Sequence, residues 1–151
     1  MKTVRQQIDD FLKSKHIALA GVSRNKKKFG YQCYKALLEK GYSVYPMNPN
    51  AENIDGKKCF KRIADLPSEV DSILIVTPGK STDEVLRQAI ERGMKNIWVQ
   101  QMSETKGTLS IAEEYQKEIV TGKCIFMFAE PVAGVHKFHR MLVKWFGALP
   151  K

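Results

Sequence analysis

The chain has 151 residues, 43% of them hydrophobic and 27% charged, the make-up of one folded domain rather than of a disordered or fibrous chain. Twenty-five Lys and Arg against sixteen Asp and Glu give a formal charge of +9, which draws phosphate-bearing partners but selects none of them by itself. No run reaches the ~18 apolar residues of a membrane span, and Met1 to His16 has no signal pattern, so a cytoplasmic location without transmembrane contact is expected.

In chain order, Val4, Ile8, Phe11 and Leu12 share a helical face, which predicts an opening helix over residues 3 to 14. A first strand follows at 17 to 21, then the lysine-rich loop GVSRNKKKFG. A helix over 30 to 40 carries Tyr31, Tyr34, Leu37 and Leu38 on one side and stops at Gly41. The runs YSVYP (42 to 46) and SILIV (72 to 76) read as the second and third strands, the latter continuous and β-branched as a strand covered on both faces should be. Between them DGKK is a turn, Cys59-Phe60 a minor strand and RIADLP a helical turn. A helix from Ser81 to Arg92 stops at Gly93, KNIWVQ is the fourth strand, and a helix from Glu104 to Val120 turns Leu109, Ala112, Tyr115 and Ile119 inward. KCIFMF (123 to 128) is the fifth strand. Strands joined by crossovers of ten or more residues predict an α/β fold, a Rossmann-like three-layer sandwich on a mostly parallel sheet of about five strands.

In such a sheet, ligands bind at the carboxyl ends of the strands. The unusual residues fall there. Gly21 lets the chain turn beside a ligand, Gly30 lets the next helix begin close to it, and exposed amides at a helix start attract phosphate. Between them Val22 and Ser23 lead into a cationic run that includes Arg24 and Lys28. A solvated basic turn is the structural alternative. Against the dinucleotide pattern G-x-G-x-x-G, Ser23 and Lys26 stand at two of the glycine positions, and no acid follows the second strand until Glu52. The segment Pro46-Met47-Asn48-Pro49-Asn50 lies there instead, and amides tolerate a ribose phosphate where a carboxylate repels one. The expected ligand is therefore a phosphorylated adenosine cofactor: coenzyme A, with NADP as the alternative. Thr77, Pro78, Gly79 and Lys80 after the third strand present a flat turn, a hydroxyl and a charge, although a plain turn capped by Ser81 or Thr82 explains the same residues. Gln100 ends the fourth strand as a candidate amide contact.

Together, IALAGVSRNKKKFGYQCYKALLEKGYSVYPMNPN, VDSILIVTPG and AIERGMKNIWVQ resemble the small CoA-binding domain proteins, relatives of the amino-terminal domain of the succinyl-CoA synthetase alpha subunit. The resemblance implies a nucleotide end over the first loop. Gly21, Ser23, Arg24 and Lys28 match its phosphate side, and Phe29 with Gly30 the start of the supporting helix. Pro46, Asn48 and Pro49 match the end of the second strand, and Thr77, Pro78 and Gly79 the segment beside adenine.

Cys33, Cys59 and Cys124 are too widely spaced for a zinc site or a disulfide framework and read as buried thiols. Residues 130 to 151 are expected to form a basic amphipathic extension with Val135, Phe138, Met141, Leu142, Trp145 and Phe146 on one side, suited to packing on its own sheet, to a homodimer contact or to touching membrane or nucleic acid. Its His136 and His139 lack a third ligand, so no metal is expected. Without a nucleophile beside a base, the chain reads as a noncatalytic CoA or acyl-CoA binder, a carrier, sensor or regulatory module within a single domain over residues 1 to 151. The rival readings are a small NADP-dependent oxidoreductase and, lower, a nucleic-acid-binding protein, for which no specific motif is present.

Overall fold

The computed structural model describes residues 1–129. The predicted basic extension and the histidines at 136 and 139 lie outside the described residues. Helix α1 spans Val4–Leu12 behind a capping box in which the Thr3 hydroxyl accepts from the Gln6 amide and the Gln6 side chain accepts from the Thr3 amide. Strands β1 (His16–Ala20), β2 (Ser43–Met47), β5 (Ser72–Ile75), β6 (Asn96–Gln100) and β7 (Val120–Lys123) form one parallel sheet in the order β2-β1-β5-β6-β7. A hairpin of β3 (Asn53–Ile54) and β4 (Lys57–Lys58) stands apart. Helices α2 (Phe29–Glu39), α3 (Gly79–Arg92) and α4 (Thr108–Glu114) complete a Rossmann-like α/β sandwich, as the crossover spacing predicts.

Alternation along the strands divides the core. Ile17, Leu19, Leu74 and Trp98 face the layer of α1 and α2, where they meet Ile8, Phe11, Tyr34 and Leu37. Ala18, Ala20, Ile73, Ile75, Ile97 and Val99 face the other way, onto Leu86 and Ala89 of α3 and Ile111 of α4. Phe11 and Trp98 lock the first layer through an edge-to-face contact at 5.3 Å. On the second, the small side chains of Ala18 and Ala20 lie among Met47, Phe60, Ile63 and Leu66, so the segment linking the hairpin to β5 packs close to the sheet.

Several details differ from the sequence-based reading, beginning with DGKK, whose Lys57–Lys58 form β4, and Cys59-Phe60, of which Phe60 makes only an isolated bridge. The fifth strand is Val120–Lys123, one turn earlier than KCIFMF, whose Ile125–Met127 forms a 3₁₀ turn. The Ile125 amide donates to the Gln100 side-chain oxygen (3.0 Å), and Cys124, Ile125 and Phe126 are buried without joining the sheet while Met127 is exposed. Helix α4 is seven residues long rather than spanning 104 to 120, because Gln116 takes a left-handed conformation and Lys117 closes back onto the Ala112 carbonyl. Leu109, predicted inward, is exposed, and Ile111 takes its place. Helix α3 starts at Gly79 behind Pro78 with no side-chain cap, two residues before the predicted start at Ser81.

Tyr34 is fully buried, and among the described residues its hydroxyl has no hydrogen-bond partner. Burial pushes its phenol above the ordinary range. Such a hydroxyl costs desolvation energy without return. Tyr34→Phe is expected to leave the urea unfolding midpoint unchanged or to raise stability by up to ~1 kcal/mol. A loss of more than that would reveal a partner for the hydroxyl.

Candidate functional site

With the hairpin set aside, the sheet order places a reversal of strand order between β1 and β5, the position at which parallel α/β sheets open a crevice. Gly21 turns there with φ +104°. Its amide and that of Val22 both donate to the Met47 carbonyl at the end of β2 (3.1 and 3.2 Å), while the Val76 amide after β5 donates to the Ala20 carbonyl (2.8 Å). Three strand ends are thereby joined. A Cβ on Gly21 would stand 2.8 Å from the Val76 carbonyl carbon, and one on Gly30 would collide with the Gly21 carbonyl oxygen. The first turn of α2 therefore sits directly on the first turn after β1.

The intervening loop is folded by its own polar side chains. Ser23 Oγ accepts from the Asn25 amide, Asn25 Oδ1 from the Lys27 amide, and the Gln32 side chain donates to the Lys26 carbonyl. As an acceptor in its turn, the Ser23 hydroxyl keeps its proton for a ligand oxygen. Lys28 is the N-cap residue of α2, and no side-chain cap closes that end, so an anion in the crevice meets the positive end of the helix dipole. Lys26 turns away, with its Nζ 6.0 Å from the Tyr31 ring.

The resulting cleft has a volume of about 960 Å³, at the upper end for sites that hold cofactors. Of the residues singled out in the sequence, Gly21, Val22, Ser23, Lys28, Phe29, Gly30, Asn48, Pro49, Thr77, Pro78, Lys80 and Gln100 line it. Arg24 is exposed outside it, Pro46 is buried within β2, and Gly79 lies at the start of α3 beside Thr105. Two of the lining amides are committed within the protein. Asn48 donates to the Val22 carbonyl (2.8 Å) and accepts from the Asn50 amide, tying the loop after β2 to the loop after β1. Gln100 donates to Cys124 Sγ and accepts from the Ile125 amide. Thr77 is likewise bonded to Thr82, whose hydroxyl reaches the Ser103 carbonyl (2.8 Å), so the loops after β5 and β6 are tied.

Several lining residues were not among the contacts expected from the sequence. Because α3 starts early, Glu84 and Gln88 continue the expected Lys80 as one exposed row along the cleft, and Gln88 donates to Glu84 at 2.8 Å. Gln101, Met102 and Ser103 close the side after β6; Met102 is 78% exposed and left-handed. Lys61, Arg62 and Ile63 arrive because Phe60 bridges to Met47 in parallel. Their signal was present: had the minor strand at Cys59-Phe60 been paired with the second strand, the basic pair behind it would have fallen at the cleft. Among the described lining residues, Lys28, Lys61, Arg62 and Lys80 stand against Glu84 alone.

Residues 15–130 match the family model described as a CoA binding domain. The chain belongs to the CoA-binding-domain family. The alpha subunit of acetate–CoA ligase [ADP-forming] II of Pyrococcus furiosus is 32% identical over 129 aligned positions, covering 78% of this chain and 28% of the subunit. The family match and this identity make the chain a homologue of the amino-terminal CoA-binding domain of such alpha subunits. It spans less than a third of the length of the curated ligases it matches. Among solved structures, a conserved hypothetical protein from Pyrococcus furiosus is 39% identical with a TM-score of 0.70, covering 74% of this chain and 96% of that one. A hypothetical protein from Pyrococcus horikoshii is 29% identical with a TM-score of 0.72 over 93% of both chains.

In this family member, Gly30→Ala is expected to cost roughly 1–3 kcal/mol in denaturant unfolding, because the obstruction is backbone and cannot swing aside. A second outcome concerns the contact between α2 and the hairpin, where the Tyr31 hydroxyl donates to Asp55 Oδ2 at 2.6 Å beside Lys35 at 3.6 Å. The bond from Tyr31, and then the charge of Lys35, hold the Asp55 carboxyl below its usual range, and the same bond pushes the Tyr31 phenol up to about 12. The contribution of Asp55 is full above its unfolded value near ~4 and is lost as pH falls through the lowered folded value. That of Tyr31 is full below ~10 and is lost as pH rises toward the folded value. The stability difference between wild type and Tyr31→Phe should therefore be flat across neutral pH and shrink at both extremes, as read by unfolding at a series of pH values.

Proposed function

We propose that the chain binds coenzyme A or an acyl-CoA in this cleft, with the diphosphate over the Gly21–Gly30 contact. The observation that carries the reading is the uncapped start of α2, with Lys28 and the Ser23 hydroxyl at its mouth, set at the reversal point of the sheet. Membership of a CoA-binding-domain family supports it. The adenosine end runs toward the end of β2, and Pro78 supplies an exposed flat surface after β5.

Holding a ligand, rather than transforming it, is the role these residues favour: carrier, sensor or regulatory module. His16 sits at the amino end of β1, bonded to the Tyr45 hydroxyl at 2.9 Å, at the opposite end of the strand from the cleft. Cys33, Cys59 and Cys124 are buried, and burial pushes each thiol up, so they stay protonated and unreactive. Among the described residues no group of His, Cys, Asp and Glu is placed to hold a metal ion.

Titration calorimetry against CoA, NADP, NAD and ATP tests the reading. CoA is expected to bind most tightly, and Lys28→Ala to weaken it by about tenfold through loss of one charge-assisted contact. Tighter binding of NADP than of CoA would replace this reading with the oxidoreductase one.

A further inference from the structure

Resting on that reading, we infer that Lys61 and Arg62 form the subsite for a phosphomonoester on the adenosine ribose, leaving Lys28 for the diphosphate. Backbone pairing places them. The Phe60 amide donates to the Pro46 carbonyl (2.8 Å), the Asn48 amide donates to the Phe60 carbonyl (3.0 Å), and Phe60 bridges to Met47. Lys61 and Arg62 are the next residues, so they emerge just past the end of β2, and both line the cleft.

The end of the second strand is where folds of this kind meet the adenosine ribose, through an acid when its hydroxyls are free and through a cation when one carries phosphate. Here the residue at that position, Asn48, spends one amide N–H on the Val22 carbonyl and one oxygen lone pair on the Asn50 amide, so its side chain is fixed by the protein and brings no charge to a ribose phosphate. The neighbouring segment supplies two cations instead. Lys28 lies elsewhere, at the first turn of α2 beside the Gly21–Gly30 contact.

Both cations already have carboxylate neighbours, and neither carboxylate lines the cleft. Lys61 Nζ stands 3.8 Å from a Glu52 whose side chain is 82% exposed, a pair too loose and too wet to resist a phosphate dianion. Arg62 is held more firmly, with Nε and Nη2 on the two Asp65 oxygens at 3.3 and 3.0 Å. That fork orients the guanidinium and leaves three of its five N–H donors for phosphate oxygens. Among the described lining residues the one carboxylate, Glu84, lies on α3 and is engaged by Gln88.

A ribose phosphomonoester occurs on CoA and on NADP, and paired ligands with and without it separate the sources. Calorimetry at constant ionic strength would compare wild type, the double variant Lys61→Ala with Arg62→Ala, and Lys28→Ala, each against CoA, dephospho-CoA, NADP and NAD. The double variant should bind CoA about 10- to 100-fold more weakly and dephospho-CoA within about twofold of wild type, the second ligand serving as the check that the variant is folded. Lys28→Ala should weaken both by a similar factor. A double variant that loses both ligands equally, or neither, overturns the subsite while leaving CoA binding in place. If wild type ignores both CoA forms, the CoA reading falls. The subsite then stands only if wild type prefers NADP to NAD and the double variant loses that preference; otherwise it falls too.

Discussion

Everything in the cleft depends on the contact between two glycines. With no side chain on Gly30, the first turn of α2 rests on the Gly21 carbonyl, and with none on Gly21 the chain passes close beside Val76 and Thr77. A methyl group at either position would push the helix start away from the strand ends. The distance between the helix dipole and any bound anion would grow with it, and this electrostatic benefit fades within a turn of the helix end. The lysines of the loop can then act as charges around a fixed backbone site rather than having to build one.

How legible this was in the sequence varied by element. The buried strands β1, β5 and β6 and the helices ended by Gly41 and Gly93 were readable because periodicity and helix stops are local signals. The loop at 21 to 30 was readable for the same reason: glycine and lysine mean something at short range. What could not be read locally was the choice between partners of equal chemistry. The run at 124 to 128 is as apolar as a central strand, yet the Gln100 side chain takes the Ile125 amide and a 3₁₀ turn takes those of Met127 and Phe128, so this backbone is satisfied without sheet partners. Asn48 and Gln100 read as ligand contacts because their types suit a ligand. In the fold their hydrogen bonds close onto carbonyl, amide and thiol groups brought near only by the tertiary structure.

Those inward bonds divide the cleft into two kinds of residue. Asn48 ties the loop after β2 to that after β1, Thr77 with the buried Thr82 behind it ties the loop after β5 to that after β6, and Gln100 ties β6 to the segment after β7, so the walls are set before any ligand arrives. Lys28, Lys61 and Lys80 are exposed, and their long side chains adapt to a ligand at little structural cost. Rigid walls with adaptable charges suit a polyphosphate, whose oxygens carry diffuse charge, better than a small neutral metabolite that must be read by fixed hydrogen bonds.

The bridge between Met47 and Phe60 has a bearing on assembly as well. β2 is the outer strand on its side, and an outer strand exposes backbone groups to which another chain can add. Pro46 has no amide proton to offer there, and its carbonyl is taken by the Phe60 amide. At the far side β7 has four residues, a shift in register and a left-handed Gly122, which bends it out of line. Among the described residues both margins of the sheet are thus blunted against strand addition, which favours helix faces and loops over a continuous intermolecular sheet for any association made through them.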